Sequence, residues 1–134
     1  MKKKALFIIS VLFAFALFSF APKTTIQDPW PVPDAYKNKV NPIAGDAASI
    51  NTGKTLYGTH CKSCHGTKGK GDGPKAAQLD TESGDFTKAS FKAQTDGSLY
   101  YKTEKGRKDM PSFKTKIQVA NDIWAIINYI RTFK

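Results

Sequence analysis

The sequence has little of what would let a chain be stapled, coordinated at several points or repeated. Two cysteines, two histidines and two methionines are all that 134 residues provide. The cysteines sit three apart, so a bridge between them would close almost no loop and stabilise little; a disulfide scaffold is excluded even in an oxidising compartment. No segment alternates polar and apolar residues convincingly as a strand, and no internal repeat is visible. Acidic residues are scarce, 11 against 21 lysines and arginines, for a net charge of +10. The longest apolar run, Ala5 to Phe18, is too short for a confident membrane span.

That run follows Lys2, Lys3 and Lys4 and precedes the small residues Ser19 and Ala21, the pattern of a secretory signal over residues 1–21. Pro22 is awkward directly behind a cleavage point, so an uncleaved N-terminal anchor in the inner membrane is the alternative. No cysteine follows the run, so a lipid-modified cysteine is not available. Either way the remainder is expected outside the inner membrane, in the periplasm. From Pro22 onward 18 basic side chains face 11 acidic ones, a net +7. In an exported protein that balance points to acidic protein partners or an anionic membrane surface, not nucleic acid.

Five of the seven prolines lie between residues 22 and 42. Pro29, Pro31 and Pro33 alternate around Trp30 and Val32, which rules out a helix or a central strand there. Residues 22–45 therefore read as an extended, partly polyproline linker; the alternative is that Trp30 and Tyr36 fold back onto the domain. The folded part is expected over residues 46–134, all-α, with three to five helices. Asp46 is a good N-cap, and Ala47, Ile50, Gly53, Tyr57 and Cys61 follow at helical spacing. "DGSLYYKTEKG" reads as a short helix stopped by Gly106. "QVANDIWAIINYIRTFK" carries the strongest apolar stripe, Ile123, Ile126, Ile127 and Ile130, with Arg131 and Lys134 suiting the dipole at its end. Between the helices, "GTKGKGDGP" packs four glycines into eight residues and reads as a loop with unusual backbone angles.

The two cysteines belong to "HCKSCHG", residues 60–66. A redox dithiol belongs where a strand meets a helix, and no strands surround this one. Zinc needs four tetrahedral ligands, yet His60, Cys61, Cys64 and His65 are crowded together with no second pair downstream. The run C-x-x-C-H is a direct attachment signature for haem: Cys61 and Cys64 form thioethers, and His65 becomes the proximal iron ligand. The distal ligand follows by elimination. His60 lies too near the attachment edge and Met1 belongs to the signal, which leaves Met110 in the polar, proline-stopped loop "DMPSF".

With these residues in view, the chain resembles a monohaem class I cytochrome c of the bacterial type over about residues 46–133. The segments that carry the resemblance are "GKTLYGTHCKSCHG", "HGTKGKGDGP", "MPSF" and "DIWAIINYIRTF". It implies that the first and last helices cross at Gly53 and Tyr129, with Tyr57 and Trp124 beside them. It also implies that a proline carbonyl, matched by Pro74, accepts a hydrogen bond from the proximal imidazole. One departure is Gln118, where a serine or threonine cap is common. Phe86, Leu99, Phe113, Ile117 and Ile126 are expected to pack on the cofactor, without which about 90 residues bury only a modest core.

An iron held by imidazole and thioether has no open position, which favours electron transfer over oxygen or peroxide chemistry. The expected role is a non-enzymatic carrier of single electrons between respiratory partners, from a quinol-oxidising complex or dehydrogenase to an oxidase or reductase. Lys62, Lys68, Lys70 and Lys75 near the attachment turn, with Lys105, Arg107, Lys108 and Lys114 near Met110, would form a basic docking rim; alternatively they are solvated loop residues. The competing readings are a haem enzyme or gas sensor with a displaceable Met110, and a fixed haem subunit of a respiratory complex.

Overall fold

The computed structural model describes residues 29–134; the signal or anchor reading of residues 1–21 and the first part of the proline-rich stretch lie outside them. In order, the helices are α1 (Asp34–Lys37), α2 (Ala47–His60), α3 (Lys62–His65), α4 (Ala89–Lys92), α5 (Asp96–Lys105) and α6 (Ala120–Ile130), with a 3-10 turn at Ala76–Gln78. Of these six helices among the described residues, three are single turns of four residues. Among the described residues the only β pairing is a bridge between Arg107 and Met110. The fold is all-α, as expected.

Helix α2 begins where Asp46 turns its carboxylate onto the free N–H groups of Ala48 and Ser49, at 3.1 and 3.0 Å. Its buried residues are Ser49, Gly53 and Tyr57, while Ala47 is exposed and Ile50 half-buried, so the core-facing stripe is rotated slightly from the sequence pattern. This face meets α6, whose Ile123, Trp124, Ala125, Ile126, Ile127 and Ile130 are all buried. The crossing depends on Gly53. A methyl group there would lie inside the Ala125 carbonyl, so only a residue without Cβ lets the two backbones come this close. Tyr57 and Tyr129 meet edge to face, 5.4 Å apart, on one side; Trp124 packs on Tyr100 of α5 at 4.3 Å on the other. The N-cap of α6 is Val119, one residue past Gln118, and it makes no side-chain hydrogen bond to the helix.

Residues 29–45 are not a free linker. The prolines prevent a long helix, but α1 still turns the chain back over α5, and the segment is pinned along its length. Val32 is buried. The Tyr36 hydroxyl donates to Glu104 at 3.0 Å, and Thr95 donates to the Lys37 carbonyl at 2.9 Å. Asn41 is buried and donates to Asn128 of α6 (2.8 Å) and to Asp96 (3.0 Å). Gly97 admits this strap, since a Cβ there would strike the Tyr36 carbonyl. Residues 29–45 are therefore packed on α5 and α6, as in the alternative in which Trp30 and Tyr36 fold back onto the domain. Composition spoke for what the prolines forbid, whereas buried polar partners on α5 and α6 decide where the segment lies.

Of the residues expected in the core, Leu99, Phe113, Ile117 and Ile126 are buried and Phe86 packs half-buried against them. Arg131, just past the end of α6, ties α5 to it through a two-nitrogen fork on Asp96, 2.7 and 2.9 Å.

Candidate functional site

The site is built on a chain reversal at the end of α2. Cys61 leaves helical geometry at φ −117°, and one further turn, α3, carries Cys64 and His65. A single turn has no ladder of its own, so its last carbonyls need outside donors. The glycine loop supplies them: Gly71 N–H donates to His65 (2.9 Å), Gly73 N–H to Cys64 (3.1 Å) and Lys75 N–H to Ser63 (2.8 Å). Gly66 ends the turn at φ +79°, in the left-handed region, packed against Asp72. Its carbonyl accepts from the buried Tyr57 hydroxyl at 2.6 Å. Burial, and then the nearby Cys61, push the Tyr57 phenol up, so it stays a donor at any ordinary pH. The attachment turn is thus clamped from the glycine loop on one side and from α2 on the other.

Both thiols are free and half-buried on this turn. Desolvation, and then the charge of Cys64, push the Cys61 thiol up to about 12. The His65 imidazole is held below its usual value by burial, with the Ser83 backbone opposing. Its Nδ1 is buried and makes no hydrogen bond of normal geometry. The ring lies 4.6 Å from Phe86, which in turn stacks on Phe91 at 4.4 Å.

Pro74 lines a surface cleft with Lys62 and Gly66, between Gly73 and Lys75, whose N–H groups bond Cys64 and Ser63 of the turn; no hydrogen bond joins it to Nδ1 of His65 in this structure. The backbone that reaches the imidazole is that of Ser83, nine residues further on.

Met110 stands at the end of a tight hairpin. Arg107 and Met110 exchange both backbone hydrogen bonds, 2.8 and 3.0 Å, and Lys108 sits between them at φ +52°. The Met110 side chain is half-buried against the hydrophobic core. Next to it, the Asp109 carboxylate accepts from both the N–H (2.8 Å) and the hydroxyl (2.6 Å) of Thr81. One short segment therefore serves both ligand candidates: Ser83 reaches His65, and Thr81, two residues before it, reaches the neighbour of Met110. Two residues span at most about 7 Å of chain, so the hairpin and the attachment turn converge on the same region.

The basic residues divide. Lys62, Lys68 and Lys70 line an exposed cleft of about 400 Å³ beside the attachment turn, with Asp72 among them; Lys75 is exposed but outside it. Near Met110 the charges are partly engaged. Lys105 pairs with Glu104 at 2.9 Å, and Arg107 donates to the Pro29 carbonyl at 2.8 Å with its guanidinium 4.6 Å above the Trp30 ring. Lys108 and Lys114 are exposed. His60 is half-buried, its ring 5.9 Å from Phe113.

The donor set fits a covalently held haem: two free thiols on one turn, an imidazole with a buried, unbonded nitrogen, and a half-buried thioether among apolar side chains. Among the described residues no cluster of three or more His, Cys, Asp or Glu offers a separate metal site. Sequence reasoning missed Ser83, Thr81 and Asp109. Nothing local marks them, because Thr81 and Asp109 are 28 residues apart and Ser83 contributes through its main chain.

Comparison with known proteins agrees with this geometry. The family model for cytochrome c matches residues 50–134. Cytochrome c-554(547) of Halothiobacillus neapolitanus is 45% identical over 58 residues, 42% of this chain and 60% of the relative. Among solved structures, a chain of the Kuenenia stuttgartiensis reducing HAO-like protein complex Kustc0457/Kustc0458 is similar at a TM-score of 0.63 and 26% identity. That match covers 81% of this chain and 52% of the other. The KustC0563 c-type cytochrome is similar at a TM-score of 0.54 and 28% identity, over 61% of this chain and 96% of its own. The chain thus spans only about half to three-fifths of the length of the first two.

Proposed function

Since the chain belongs to the cytochrome c family and so carries one covalent haem c, we propose that it is a carrier of single electrons between respiratory proteins, and not itself an enzyme. When bound, the haem supplies an iron that changes by one electron. The observation that supports the reading best is the convergence of the attachment turn and the Met110 hairpin on the segment from Thr81 to Ser83.

In this reading Cys61 and Cys64 fasten the group at two points of one turn, which fixes its edge against α2 and α3. His65 is the proximal ligand; the nearby Ser83 backbone biases the imidazole's orientation and basicity. Met110 would supply a thioether as the second protein ligand to the iron, which would leave no ligand site for a substrate. The hydrogen bonds that clamp the turn would keep reorganisation small when the charge changes. Lys62, Lys68 and Lys70 beside the attachment turn face an acidic partner and speed its approach at low salt. No helix among the described residues is long and apolar enough to cross a membrane. We place the domain on the periplasmic side of the inner membrane, delivered by residues 1–21 as signal or anchor. A second reading, a fixed subunit of a multi-protein redox assembly, is favoured by the similarity to a chain of the HAO-like complex.

Spectra of the haem-loaded chain test the carrier reading. Low-spin iron in both oxidation states, a thioether-to-iron charge-transfer band and no binding of carbon monoxide are expected. Native protein that is high-spin and takes up carbon monoxide would overturn it. In Met110→Leu the band should vanish and carbon monoxide should bind.

A further inference from the structure

The family match begins at residue 50, yet the hairpin that carries Met110 is fastened from outside that range. Arg107, the first residue of the hairpin, donates through Nη1 to the Pro29 carbonyl at 2.8 Å and lays its guanidinium 4.6 Å over the indole of Trp30. Lys102 of α5 lies over the same ring at 5.4 Å, so Trp30 meets two cations, one from α5 and one from the hairpin. The strap is itself anchored to α5 and α6 through Tyr36 and Asn41. Restraint therefore passes from the helical core through the strap to Arg107, and across two backbone hydrogen bonds to Met110.

We propose that the N-terminal strap is a positioning element for the distal ligand, with Trp30 and Arg107 as a latch that holds the Arg107–Met110 hairpin closed. The reason is mechanical. The hairpin has only one bridge of its own and a non-glycine residue at positive φ, so it needs outside restraint to stay in one geometry. Asp109 on Thr81 restrains one flank, and the latch restrains the other. The guanidinium suits this role because its rigid planar fork can stack on the indole while donating in its own plane to a carbonyl, a geometry an ammonium does not fix.

This inference rests on Met110 being the distal ligand, and the test separates the two. Full-length, haem-loaded protein is mixed in the ferric state with exogenous imidazole, and the rate at which it replaces the native distal ligand is recorded alongside the thioether-to-iron band. Trp30→Ala and Arg107→Lys should each accelerate imidazole entry about fivefold or more, the scale of losing one cation–π contact and one hydrogen bond. Tyr36→Phe removes only the hydroxyl bond to Glu104, one of several anchors of the strap, and leaves Asn41 and the latch in place, so it should stay within about twofold of native. Native rates in Arg107→Lys, which keeps size and charge and should fold, overturn the latch, as does equal acceleration in Tyr36→Phe. Absence of the band from the native protein overturns the Met110 assignment and the latch with it.

Discussion

The crossing of α2 and α6 offers the sharpest test of the packing that supports the site. Replace Gly53 by alanine. The added methyl would stand 2.5 Å from the Ala125 carbonyl carbon and 3.0 Å from the Ile126 nitrogen, where ordinary contact is 3.4–4 Å. Both neighbours are main-chain atoms of a buried helix and cannot swing aside, so the helices must separate by about 1 Å. Overpacking of this kind costs about 1–3 kcal/mol, and the rigidity of the obstacle puts Gly53 at the top of that range. Against it stands the intrinsic helix preference of alanine over glycine, about 1 kcal/mol. The net loss is about 2 kcal/mol, or roughly 8–16 °C in melting temperature for a domain near 100 residues. Gly58 is the internal control: it is on the same helix, exposed, with nothing within 4 Å of its Cβ position. Gly58→Ala should raise the melting temperature by a few degrees through propensity alone. Thermal denaturation of haem-loaded protein by far-ultraviolet circular dichroism reads both. A Gly53→Ala melting temperature at or above native would refute the close crossing.

Three other outcomes are expected. Asn128→Ala takes one partner from the buried Asn41 amide and from the Ser49 hydroxyl and removes the side-chain donor to the Ile43 carbonyl, and urea unfolding should show a loss of about 2–4 kcal/mol; a loss under 1 would mean water replaces the amide. Glu104 titrates below its usual 4.5: desolvation opposes this, but hydrogen bonds from Lys105 and Tyr36 outweigh it. Its contribution is therefore present above 4.5 and lost as pH falls through the lower folded value, so Glu104→Gln should flatten the acid limb of stability against pH by about 1 kcal/mol at most. An unchanged acid limb would count against the Tyr36–Glu104 bond. Finally, the doubly substituted Cys61→Ser, Cys64→Ser chain should lose covalent haem on mass measurement and most of its helical circular dichroism. A chain that stays folded without the cofactor would show that the core is sufficient alone.

Much of this protein is written in local patterns. Asp46 before α2, Gly106 after α5, the isoleucine stripe of α6 and the four-glycine loop each act within a few residues of themselves, through capping, backbone angle or helical period. The Cys61–His65 turn is legible for the same reason: its chemistry requires adjacency. The Gly53 crossing is expected only through the resemblance to the cytochrome c family, because a glycine in a helical pattern does not say what will pack on it.

The remainder was decided by distance in space. Prolines 29, 31 and 33 exclude regular structure, but nothing in their neighbourhood announces that Trp30 will find Lys102 and Arg107, more than 70 residues away. Ser83 came near the His65 imidazole through a main-chain atom that every residue possesses. Composition and spacing thus pointed to a covalent haem and to the thiols and imidazole proposed to hold it. Only the tertiary structure decided what steadies those groups, because hydrogen bonds between distant segments depend on the path of the backbone, not on neighbours in the chain.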